Sequence, residues 1–71
     1  MSYWPSKKGR EVFAALIRVG WVHERTAGSH RVLTREGSGE YVFAFGDSEE
    51  IGPVMMARIA SRTGLKLGDL R

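Results

Sequence analysis

Trp21-Val22-His23-Glu24-Arg25-Thr26-Ala27-Gly28-Ser29-His30-Arg31-Val32-Leu33-Thr34-Arg35-Glu36-Gly37-Ser38-Gly39-Glu40-Tyr41-Val42-Phe43-Ala44-Phe45 is a run of strand-forming residues interrupted twice by turn chemistry. Thr26-Ala27-Gly28 reads as a tight turn in which Gly28 supplies a positive φ. Glu36-Gly37-Ser38-Gly39 reads as a second hairpin loop. Three strand-length segments remain, at residues 21–25, 29–35 and 40–45. The middle one alternates in polarity, and the last is rich in β-branched and aromatic residues. Strands joined by connections this short can only be antiparallel neighbours, so the run predicts a three-stranded meander.

Upstream of the meander, Val12, Phe13, Leu16, Ile17 and Val19 recur near helical spacing and predict a helix over 7–19. Ser6 is placed to cap its start and Gly20 to stop it. Gly9 in the first turn weakens the helix slightly. Pro5 disfavours helix at Trp4, so residues 1–6 read as a lead-in. Downstream, residues 46–50 form an acidic loop. Gly52-Pro53 then opens a second helix, with proline at its first position, where a missing N–H costs nothing. Met55, Met56, Ile59 and Ala60 give that helix its apolar stripe, and Gly64 ends it. Leu65, Leu67 and Leu70 are placed to fold back on the core.

The order is α-β-β-β-α, and the class is α+β: a three-stranded antiparallel sheet with two helices on one face, since each helix has one apolar stripe to bury. Residues 7–71 form a single domain. The third strand carries apolar residues on both parities, Tyr41/Phe43/Phe45 and Val42/Ala44. One set must therefore face away from the helices, which is a common mark of a partner surface.

The chain has 71 residues and no cysteine, so neither a disulfide nor a thiolate zinc site can staple it. A domain of this size buries only roughly 60% of its unfolded surface. There is no apolar run of membrane-spanning length and no signal-peptide core, which points to a soluble cytoplasmic protein. Net charge is +3, from 11 Lys+Arg against 8 Asp+Glu. Lys7, Lys8, Arg10, Arg18, Arg25, Arg31 and Arg35 crowd the first half, opposed there by Glu11 and Glu24 alone. A basic half suits a polyanion such as nucleic acid, although charge alone favours the plainer reading of a solvated, salt-bridged surface.

His30 is the candidate for chemistry. Its side chain exchanges protons near neutral pH, at an unperturbed pKa of about 6.5, and Arg25, Arg31 and Arg35 surround it in sequence. Cleaving RNA without a metal requires a base for the 2′-hydroxyl proton, a cation for the phosphate and an acid for the leaving oxygen; His30 suits the first and a neighbouring arginine the second, and no clear group supplies the third. Composition alone would make His30 a hydrogen-bonded hairpin residue. His23 reads as a partly exposed strand residue whose face depends on register. Ser29 reads as a turn hydroxyl, since no Ser-His-carboxylate set accompanies it. No residues have metal-ligand spacing and no glycine-rich nucleotide loop is present, so no metal or cofactor is expected.

Three pieces in order carry a family resemblance: a first helix closing on Gly20-Trp21, then Gly28-Ser29-His30-Arg31-Val32-Leu33, then Glu50-Ile51-Gly52-Pro53 with Met56, Ile59 and Gly64-Leu65. Over about residues 8–70 the chain resembles the HicA toxin family of small mRNA-cleaving proteins. The resemblance implies a double-stranded-RNA-binding-domain-like α-β-β-β-α fold and an endoribonuclease (mRNA interferase) of a type II toxin–antitoxin system. It makes His30 the catalytic residue and a HicB-like protein the antitoxin. With mRNA as substrate, Gly28, Ser29, Arg25, Arg31, Arg35, Lys7 and Lys8 are the candidate RNA contacts. Many members carry Val-Pro-X-His on the third strand, where this chain reads Val42-Phe43-Ala44-Phe45. Without that second histidine, the alternative is a non-catalytic RNA-binding or protein-binding module on the same fold.

Overall fold

The computed structural model describes residues 3–70. Met1, Ser2 and Arg71, the outermost residues of the expected lead-in and domain, lie outside this range. The chain runs β1 (Lys7–Lys8), α1 (Gly9–Arg18), β2 (Val22–Ala27), β3 (His30–Arg35), β4 (Gly39–Phe43), β5 (Glu50–Ile51) and α2 (Pro53–Thr63), then a 3-10 turn over Leu67–Leu70. The class is α+β with a three-stranded antiparallel sheet ordered β2-β3-β4, as the meander predicts.

The strands differ in extent from the expectation because the first turn is tighter than it reads. Ala27 pairs with His30, leaving only Gly28-Ser29 between β2 and β3. Gly28 has φ +64° while Ser29 stays at negative φ, the pattern of a type II′ turn, whose twist matches that of the flanking strands. Thr26 and Ala27 are thereby freed to extend β2. At the other end, β4 stops at Phe43, two residues short.

The start of α1 is a correction. Ser6 does not cap it, because Lys7 and Lys8 are drawn into a short antiparallel ladder with Ile51 and Glu50. The helix begins at Gly9, and the Glu11 carboxylate accepts a hydrogen bond from the Lys8 backbone N–H at 2.9 Å. Its first two amides are taken by the acidic loop: Gly9 N–H donates to the Glu49 carbonyl at 2.8 Å, and Arg10 N–H to that of Asp47 at 3.0 Å. A side chain at Gly9 would prevent this, since its Cβ would lie 2.0 Å from the Gly46 carbonyl oxygen. Gly9 is a requirement of this close approach, not a mild defect of the helix.

The opening of α2 follows the expectation, with Pro53 in its first turn, and Gly64 closes it in the left-handed conformation at φ +80°. Val12, Ala15 and Leu16 from α1 and Met56, Ile59 and Ala60 from α2 bury against Leu33 and Phe43 of the sheet, together with Trp21, Ile51 and Leu65. Each large apolar side chain so buried stabilises the fold by about 1.5–3 kcal/mol. Ile17 and Met55, expected on the stripes, lie at their edges and are exposed. Both helices thus cover one face of the sheet. Trp21 joins them: its indole N–H donates to the Thr63 carbonyl at 3.2 Å, while the buried Thr63 hydroxyl donates to the Ile59 carbonyl and accepts from Leu65 N–H.

Candidate nucleic-acid interface

Strand register sorts the candidate residues into two faces. Arg31 pairs with Phe43 and Leu33 with Tyr41, so Arg31, Leu33 and Arg35 share the helix-covered side. Side chains alternate along a strand, which sends His30, Val32 and Thr34 to the open face, with Val42 and Glu40 beside them. Val22 at 60% and Val42 at 47% exposure are large apolar residues that this face shows to solvent.

His30 is the first residue of β3, presented directly by the Gly28-Ser29 turn. It is exposed, and its imidazole has no side-chain partner among the described residues. Arg25 stands opposite Val32, and His30 opposite Ala27, which makes Arg25 and His30 diagonal neighbours on the open face. Such neighbours lie about 7–8 Å apart, close enough for one phosphate to touch both. Arg25 is ion-paired with Glu24 at 2.7 Å and Glu40 at 3.5 Å, with more than half of its side chain exposed. Exposed pairs of this kind are worth little, so the guanidinium is available for exchange onto a phosphate.

The other arginines are engaged elsewhere. Arg31 lies on the helix side with its guanidinium 4.2 Å from the Phe13 ring centroid and 5.5 Å from that of Phe43. It donates to the Phe45 carbonyl at 3.1 Å and to the Asp47 carboxylate at 2.8 Å. Held by two acceptors and two rings, it ties β3 to the acidic loop. Arg35, also on the helix side, lies 4.7 Å over the Trp21 ring, and its Nε donates to the Ser38 hydroxyl at 3.3 Å. Lys7 and Lys8 belong to the β1–β5 ladder rather than to the three-stranded sheet, and Lys8 Nζ donates to the Ser48 carbonyl at 3.4 Å. Of the cations named from the sequence, the fold brings only Arg25 onto the face of His30 in the sheet.

Register also settles His23. It pairs with Leu33 and turns to the helix side, where its ring meets Phe13 edge-on at 5.5 Å between centroids. Its Nε2 lies 2.9 Å from the Thr26 hydroxyl. The chain has two histidines, so His30 has no second imidazole on its face. Sequence reasoning missed Asp47, the partner of Arg31, and the β-bulge between His23 and Arg25 that sets the face of Arg25. Nothing local in the sequence marks either.

Among the described residues, no group of three His, Cys, Asp or Glu side chains is arranged to hold a metal ion, and no helix is long and apolar enough to cross a membrane. No curated protein matches the chain. The family described as the HicA toxin of bacterial toxin–antitoxin matches it over residues 9–65, from the first residue of α1 to the buried Leu65 beyond α2. The chain therefore belongs to the HicA toxin family and is the toxin of a toxin–antitoxin system, with an antitoxin as its partner.

Proposed function

We propose that this toxin is a metal-independent endoribonuclease that cleaves mRNA in the cytoplasm, with His30 as its acid–base residue. The observation that carries the reading is the placement of His30: exposed, without a side-chain partner among the described residues, and diagonal to Arg25 on the open sheet face. An RNA strand crosses that face with one phosphate beside Arg25. The Gly28-Ser29 turn adds no bulky side chain at the edge of the path. His30 takes the proton of the adjacent 2′-hydroxyl as its oxygen attacks phosphorus. The bond from phosphorus to the 5′ oxygen breaks, leaving a cyclic phosphate and a 5′-hydroxyl. Because the face is open, water supplies the leaving oxygen with its proton. The positive charge of Arg25 offsets the charge that builds on the phosphoryl oxygens. Arg31 and Arg35 serve the site by holding the sheet to α1 and to Trp21.

The antitoxin is HicB-like and covers the same face, seating on Val22 and Val42 and shielding His30. Association there removes exposed apolar surface and blocks the RNA path in one step.

The test is incubation of an mRNA with purified protein in the presence of a chelator, wild type beside His30→Ala. Loss of a general base typically lowers the rate about 10²–10⁴-fold. Equal cleavage by both proteins would remove His30 from the mechanism. The absence of a second histidine on this face favours one other reading, a module that binds RNA without cutting it. Binding by both proteins with cleavage by neither is the outcome that reading requires.

A further inference from the structure

The strand β2 changes face partway along its length. In a regular strand Val22 and Glu24 share one side, and His23 and Arg25 the other. Here His23 is opposite Leu33 while Arg25 is opposite Val32, so Glu24 is an extra residue with no partner on β3. That is a β-bulge, a device that bends a strand and re-aims the side chains beyond it. His23 consequently packs on Phe13 beneath the sheet, whereas Arg25 reaches Glu40 on the open side. Without the bulge Arg25 would point toward the helices, and no cation of β2 would stand beside His30.

The bulge is pinned by the hydrogen bond between His23 Nε2 and the Thr26 hydroxyl. Residues three apart face opposite sides of a regular strand, so this bond exists only when the extra residue is present. Opening the bulge would break it, and removing it lets Glu24 slip back into register.

We infer that the His23–Thr26 hydrogen bond is a positioning device that holds Arg25 on the face of His30, and that Thr26 is a positioning residue for phosphate binding. The inference rests on the reading of that face as an RNA site. Glu24 and Glu40 complete the arrangement by steering the guanidinium while the site is empty, and a phosphate then displaces them.

The experiment measures binding of a fluorescently labelled single-stranded RNA whose riboses are all 2′-O-methylated, which removes the nucleophile and hence cleavage. Affinity is followed as a function of salt for the wild type, Arg25→Ala, Thr26→Val, Thr26→Ser and the Arg25→Ala/Thr26→Val double variant. Loss of one charge-assisted phosphate contact weakens binding roughly tenfold. It also reduces the slope of log K against log salt by about 0.7. Thr26→Val is expected to reproduce both changes, because valine keeps the branched shape and strand preference but not the hydroxyl. Thr26→Ser restores wild-type behaviour, and the double variant binds no more weakly than Arg25→Ala. Each variant's thermal midpoint is recorded alongside, and that of Thr26→Val is expected to match the Thr26→Ser value.

Three results would overturn the inference: Thr26→Val binding like wild type, its effect adding in full to that of Arg25→Ala, or Arg25→Ala changing neither affinity nor slope. A wild type that binds this RNA yet cleaves no mRNA defeats the nuclease reading and leaves the positioning role standing. A wild type that cleaves mRNA yet does not bind this RNA overturns the positioning role and leaves the nuclease reading standing, and one that neither binds nor cleaves defeats both.

Discussion

Replacing Gly9 by alanine sets two effects against each other. Glycine in a helix costs roughly 0.5–1 kcal/mol relative to alanine, so helix preference alone predicts stabilisation. The geometry predicts the opposite, because the new Cβ would sit 2.0 Å from the Gly46 carbonyl oxygen, more than an ångström inside van der Waals contact. The backbone fixes where this Cβ lies and its neighbour is a backbone carbonyl, so no side chain can rotate away. The loop must withdraw from α1, which stretches the hydrogen bonds from Gly9 to Glu49 and from Arg10 to Asp47, now 2.8 and 3.0 Å, beyond useful length. Each such bond contributes about 1 kcal/mol net, and Asp47 also loosens its hold on Arg31. After the helix gain is subtracted, Gly9→Ala should destabilise the fold by about 1–2 kcal/mol. For a domain of this size that corresponds to a fall in thermal midpoint of roughly 5–15 °C, followed by circular dichroism. Gly46→Ala is the control: its Cβ would meet nothing within 4 Å and its φ is not positive. It should be neutral within about 0.5 kcal/mol. A Gly9→Ala protein as stable as the wild type, or more so, would show that the loop does not press on the helix and would refute the reasoning.

Burial raises the pKa of the Tyr41 phenol above its ordinary value of 10.0, an effect partly offset by the nearby Arg62. The folded state therefore keeps this proton at pH values where the unfolded chain has released it, and the stability it confers is full below pH 10 and lost as pH rises further. Denaturant midpoints above pH 10 should fall more steeply for wild type than for Tyr41→Phe, and parallel curves would show that the phenol carries no such linkage. On the open face, Val42→Asp should leave the thermal midpoint within a few degrees of wild type, since the side chain is half exposed, yet abolish capture of the cognate antitoxin. Unchanged antitoxin affinity would move the partner off this face.

The parts of the fold that were legible are those governed by neighbours in sequence. Gly28 in its turn, Pro53 opening α2 and Gly64 closing it each answer a local backbone requirement that the residue type announces. Most apolar positions of both helices, Ile17 and Met55 excepted, and the two-faced character of β4 follow from periodicity. What stayed hidden depends on residues far apart in the chain. Ser6 is a chemically sound cap, but Lys7 and Lys8 are claimed by Glu50 and Ile51, and a tertiary ladder overrides a local preference. Gly9 reads as a mild defect until the acidic loop is brought against it. At the candidate site, the motif singles out His30, and the arginines around it in sequence look interchangeable. The bulge at Glu24 and the alternation along β3 separate them, sending Arg25 to one side of the sheet and Arg31 and Arg35 to the other.

The ladder of Lys7 and Lys8 with Ile51 and Glu50 has a consequence for the order in which the molecule assembles and opens. The meander closes through connections of two and three residues, so its loop-closure entropy is small. The ladder joins segments some forty residues apart, and two residue pairs with the bonds from Gly9 to Glu49 and from Arg10 to Asp47 repay that larger cost. On loop-closure grounds it should be a late seam to close during folding and an early one to part under native conditions. Amide exchange should show this seam and the start of α1 exchanging ahead of β3. The toxin can thus breathe at its N-terminal seam, and the contacts of Arg31 with Asp47 and the Phe45 carbonyl are the link through which that motion reaches the strand of His30.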